Sequence, residues 1–110
     1  MSTRQYSSKQ ENYVAKQLGG TPTPNSGAGH TKKGDILVDD FYILECKTKT
    51  QPVSQVTVKK EWLDTVRKEG LAMGRPYYSV VIDFGVQGKD TYAIIPLEDL
   101  KTFIDYIRGE

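Results

Sequence analysis

Asp35 and the triplet Glu45-Cys46-Lys47 combine two carboxylates and an ammonium at a spacing that adjacent strands can close. The run from Gly34 to Lys47, GDILVDDFYILECK, has apolar Ile36, Val38, Phe41, Ile43 and Leu44 bracketing Asp39-Asp40, which predicts a β-hairpin turning at the two aspartates. With strands of about five residues, Asp35 at the start of the first lies beside the end of the second. Side chains alternate along a strand, so Glu45 and Lys47 share one face while Cys46 points to the other, into the core. Mg²⁺ is a hard cation that takes one or two carboxylates, a substrate phosphate and several waters, so Asp35 and Glu45 suffice as its side-chain ligands. Lys47 is left to act on an attacking water or on the charge of the phosphorane. The chemistry such a set supports is metal-assisted hydrolysis of a phosphodiester.

The spacing of Asp35, nine intervening residues and Glu45-x-Lys47 resembles the PD-(D/E)xK nuclease motif, with Gly34 where the motif name has proline. Upstream, Glu11 on an N-terminal helix, the stop at Gly19-Gly20 and then Ser26-Gly27 precede Gly34-Asp35. That order is similar to the archaeal and phage Holliday junction resolvases, over roughly residues 8 to 84. The chain departs from them before the Ser-Gly pair, where Thr21-Pro22-Thr23-Pro24-Asn25 stands in place of their usual arginine.

The resemblance implies an α/β fold with a restriction-endonuclease-like α-β-β-β-α-β core, a mixed central sheet flanked by helices, and an extra C-terminal strand and helix. It implies a Mg²⁺-dependent DNA endonuclease, with Mn²⁺ able to substitute, in which Asp35, Glu45 and Lys47 are catalytic. Glu11 would be an accessory metal-site carboxylate and Ser26 a loop residue near the scissile phosphate. Gln55 lies near the start of the next helix, where that family often has a glutamine or lysine close to the site. Branched DNA is the expected substrate. Two symmetric cuts from one site per chain require a homodimer, for which residues 96–108 and the sheet edges are candidate surfaces. Three other readings stay open: another small nuclease of the same motif acting on nicks, flaps or single strands; a non-catalytic DNA-binding module of the same fold; and a small α/β interaction domain in which the triplet is chance.

Composition is compatible with these readings and excludes others. The 110 residues predict one domain with a single core, which the resemblance makes a nuclease domain spanning residues 1–110, and 26% charged against 37% apolar residues excludes a disordered chain. No apolar stretch approaches the ~20 residues of a membrane span, and the start MSTRQYSSKQ lacks a signal-peptide core. A cytoplasmic protein of a prokaryotic or phage-infected cell is expected, without a membrane partner. One cysteine permits neither an internal disulfide nor a thiolate zinc site. The net charge of +1 conceals a polarity: residues 1–33 hold five Lys/Arg against one acid, residues 45–75 seven against four, and residues 76–110 three against six. A phosphate backbone is drawn to the first two.

The elements that must position these groups follow from pattern. Ser7 or Ser8 caps a helix that runs through Leu18 with Tyr13, Val14 and Leu18 inward, and Gly19-Gly20 ends it. Residues 21–34 form a Pro/Gly/Ser-rich loop whose small residues admit a phosphate, with Lys32 and Lys33 neutralising charge; His30, the single histidine, is either incidental there or a phosphate contact. After the hairpin, residues 48–58 contain a third strand. Lys49, Gln55 and Lys59 join the nucleic-acid-binding candidates. A helix starts near Lys59, with Trp62, Leu63, Val66 and Leu71 as a core stripe. Strands over 77–84 and 91–95 follow, and Pro96 opens a last helix lined by Leu100, Phe103, Ile104 and Ile107. Asp39 and Asp40 read as turn residues, Asp83 as a strand terminus, and at least one of Tyr77 and Tyr78 as packing.

Overall fold

Tyr42 to Lys47, the stretch that ends in the triplet, becomes the middle strand of the sheet. The computed structural model describes residues 3–23, 35–49, 51–85 and 90–109. Its elements are α1 (Thr3–Leu18), β1 (Thr21–Pro22), β2 (Ile36–Val38), β3 (Tyr42–Lys47), α2 (Lys60–Ala72), β4 (Tyr77–Asp83), β5 (Thr91–Ile94) and α3 (Leu97–Arg108). The five strands form one sheet in the order β1-β2-β3-β4-β5. Only β3 and β4 run parallel; the other neighbours are antiparallel. A parallel pair needs a crossover, supplied here by residues 48–59 and α2. The described residues are thus α/β, with a mixed sheet and three helices.

The hairpin forms where the aspartates predict it. Val38 pairs with Tyr42, leaving Asp39, Asp40 and Phe41 to turn, and Asp39 takes φ 48°, a conformation aspartate accepts more readily than most residues. Alternation along β3 and β4 then feeds two cores. Leu44 and Val81 join Val14 and Ala15 of α1 and Ile36 on one face. Ile43, Val80 and Ile82 join Val66 of α2 on the other. Strands buried on both faces read as continuous apolar runs, which is why residues 77–84 are legible as a strand.

Several expectations are corrected. Among the described residues of 48–58 no strand forms: β3 already has β2 and β4 on its two edges, and the segment instead crosses toward α2. The loop after α1 begins with a strand, as Thr21 pairs with Leu37 and Pro22 with Ile36; proline is tolerated there because β1 is an edge. The first helix starts at Thr3, ahead of the serines expected to cap it. Leu18 at its end is exposed and not inward, as is Leu71 at the end of α2, because the buried contacts of these helices are made by Val14 and Ala15 and by Val66 and Gly70. At its other end Gly19 adopts φ 68° and Gly20 N–H returns to the Ala15 carbonyl at 2.8 Å, the expected glycine stop. Pro96 precedes α3 as its N-cap residue, one position before the helix proper. Among the described residues no helix is long and apolar enough to cross a membrane.

Candidate functional site

The β2–β3 register ends with Ile36 opposite Leu44, so Asp35, one residue before β2, reaches the end of β3, where its carboxylate meets that of Glu45. Asp35 is buried at 3% exposure and fixed by its main chain: its N–H donates to the Leu44 carbonyl at 2.8 Å and its carbonyl accepts from Thr23 N–H at 2.9 Å. Its Oδ2 accepts the Cys46 N–H at 2.6 Å. The aspartate is therefore locked onto the strand that carries the glutamate and lysine. Cys46 turns to the α1 face and packs against the cluster of Val14, Ala15 and Leu44, as its place in the strand requires.

Glu45 and Lys47 lie on the α2 face, with Lys47 Nζ 3.9 Å from Glu45 Oε1. Burial pushes the Glu45 carboxyl up to about 7, and the neighbouring Asp35 carboxylate adds to the shift through charge and a hydrogen bond. Lys47 pulls it down, and Glu69 of α2 raises it again. Glu69 is a participant that the sequence reading missed. Its Oε2 is buried with no hydrogen-bond partner among the described residues. Only its place on the inner side of α2, one residue before the close-packed Gly70, marks it in the sequence.

A second group missed in the sequence lies beneath the end of β3. Gln10 of α1, 1% exposed, donates through Nε2 to the Lys47 carbonyl and to Asp83 Oδ2, each at 2.8 Å. Asp83 is more than a strand terminus: its carboxylate also accepts Thr48 Oγ1–H at 3.0 Å and Gly85 N–H at 2.8 Å. Gln10 is adjacent to Glu11, the residue singled out for this region, but one helical step turns a side chain by about 100°. Among the described residues no three or more His, Cys, Asp or Glu side chains gather to hold a metal ion, so Glu11 does not form such a group with Asp35 and Glu45.

No protein-family model, curated protein or solved structure matches the chain.

The remaining candidates divide clearly. Lys49 lines a cavity of about 170 Å³ with Lys47, Thr48, Val56, Trp62 and Asp83. Lys59, at the N-cap of α2, brings its Nζ to 6.0 Å from the Trp62 ring centroid, so it gathers near Lys47. Gln55 is exposed in the irregular segment between β3 and α2. Ser26, His30, Lys32 and Lys33 lie outside the described residues. Tyr77 packs between rings, 6.2 Å from Tyr42 and 5.6 Å from Phe103.

Two carboxyls brought together and largely withdrawn from water repel one another, and a divalent cation held by both would relieve that repulsion. The pair fits Mg²⁺, which asks for one or two carboxylates and keeps most of its waters.

Proposed function

We propose that the protein is a Mg²⁺-dependent DNA endonuclease of the PD-(D/E)xK type, acting on branched DNA as a Holliday junction resolvase. The observation that carries this reading is the meeting of Asp35 and Glu45 across the hairpin, with the Lys47 ammonium 3.9 Å from Glu45. Asp35 and Glu45 would hold the ion, and Mn²⁺ would serve in its place. When bound, the metal lowers the pKa of a water and offsets negative charge on the phosphate. Asp35 is kept from turning away by the Cys46 N–H, so one arm of the site is set before any ligand arrives. Glu45 would hold the cation as the carboxylate, its proton lost to solvent. Lys47 orients the attacking water or meets the charge that builds on the phosphoryl oxygens. Lys49 and Lys59 flank the site and draw in the backbone of the DNA without reading its sequence.

The test is cleavage of labelled four-way junction, flap, duplex and single-stranded DNA by the wild type and Asp35→Asn, in Mg²⁺ and in EDTA. Paired cuts in the junction that vanish in the variant are expected. Cleavage of other substrates alone keeps the nuclease and discards the junction preference. Binding without any cleavage replaces the enzyme with a DNA-binding module.

A further inference from the structure

Lys47 is held from both sides of the sheet. On the α1 side its carbonyl accepts the Gln10 amide. On the α2 side its ammonium stands 4.8 Å from the centroid of the Trp62 ring. Its carboxylate partner is looser: 3.9 Å from Glu45 is the outer edge of ion-pair range, and 36% of the lysine side chain is open to water. A lysine stem is flexible, and with only that ion pair the ammonium would swing into solvent.

The proposed reaction weakens that ion pair further, because a carboxylate engaged by a cation has less charge to offer a lysine. An indole face differs in kind. It attracts an ammonium through its ring quadrupole, carries no net charge and does not compete for the metal. Trp62 is also well anchored, in the first turn of α2 and packed against the cluster of Ile43, Val66, Val80 and Ile82. We propose that Trp62 is the positioning residue for Lys47, keeping its ammonium at the end of β3 near Glu45 when that carboxylate is engaged by a cation. The proposal rests on the nuclease reading of the same site and assigns its reactive lysine a holder.

Trp62 is the single tryptophan of the chain, so its emission reports the contact independently of activity. Lys47→Met should change that emission, whereas Lys60→Met should leave it unaltered, since Lys60 pairs with Asp64 at 3.0 Å on the same helix. In the cleavage assay Trp62→Phe retains a ring and most of the rate. Trp62→Leu should lose about tenfold in kcat with KM held within about twofold, the pattern of a misplaced reacting group. Unchanged emission in Lys47→Met overturns the proposal, and so does a folded Trp62→Leu that cleaves with the wild-type kcat. If Trp62→Leu does not fold, the emission comparison still decides, because it keeps the native tryptophan. A wild type that cleaves no DNA overturns the nuclease reading and the reactive role of Lys47 with it; an emission change in Lys47→Met would then mark the contact as structural.

Discussion

Glu45 sets the balance between folding and chemistry at the site. Its folded pKa of about 7 stands above its ordinary 4.5, so the folded protein without metal binds this proton more tightly than the unfolded chain does. The sign follows by linkage. The stabilising contribution is complete below 4.5, falls as pH rises toward 7 and is gone above it. At neutral pH and above, the ionised group therefore destabilises the fold, by on the order of 1–3 kcal/mol. Glu45→Gln should raise the urea midpoint at about pH 8 relative to wild type and flatten the decline between about pH 5 and pH 8, while abolishing cleavage. Identical midpoints at high pH would refute the crowding of carboxyls. In the wild type, calorimetric Mn²⁺ or Mg²⁺ affinity should strengthen with pH over the same window, because binding displaces the proton. Asp35 calls for a different choice of variant. Asp35→Asn keeps an acceptor for the Cys46 N–H and should fold, bind DNA and fail to cleave. Asp35→Ala strands that amide and should lose a further ~1–3 kcal/mol of stability, measured by the same denaturation.

At the level of elements, the site depends on ties that hold the end of β3 between α1 and β4. Gln10→Ala removes the donor to both the Lys47 carbonyl and Asp83, so it should cost about 2 kcal/mol and lower activity, although Gln10 touches no reacting group. Gly85→Ala tests the crossover: Gly85 has φ 94°, and an added Cβ would fall 2.3 Å from the Gln51 carbonyl oxygen. Val53 N–H donates to the Phe84 carbonyl at 2.9 Å nearby, so this substitution should push residues 51–53 off the end of β4 and cost about 2 kcal/mol or more in denaturant titration. These ties also explain what could be read in advance. The hairpin was legible because alternation and two turn aspartates are local signals, and they bring Asp35 to Glu45 without help from the rest of the chain. Residues 48–58 were misread because Thr and Val favour strands locally, while the edges of β3 were already taken by β2 and β4. The β1 strand was hidden behind Pro22, and Gln10, Asp83 and Glu69 were hidden because only the tertiary packing of α1 and α2 gives them partners. No periodicity in the sequence encodes that a glutamine on one helix meets a carbonyl 37 residues away.

For the whole molecule, the distinguishing surface is the apolar side of α3. Leu97, Leu100, Ile104 and Ile107 recur along one side of it, and Leu97 and Ile107 remain 80% and 81% exposed. Phe103, at the edge of the same side, packs onto Tyr77 and docks the helix, while Leu97 and Ile107 beside it stay open. Scattered apolar residues are ordinary on a surface, but a continuous stripe marks an interaction face. The proposed junction resolvase supplies an occupant, because two coordinated cuts need two copies of a chain with one site. Ile107→Lys should therefore leave the denaturation midpoint nearly unchanged, within ~0.5 kcal/mol, since the residue has little to lose within its own chain. The same substitution should convert a dimer to a monomer in analytical ultracentrifugation and turn paired junction cuts into single nicks. A variant that stays dimeric would move the interface to a sheet edge. A wild type that is monomeric on the junction would leave Asp35, Glu45 and Lys47 their chemistry but make the protein a nicking nuclease, with α3 open for a different partner.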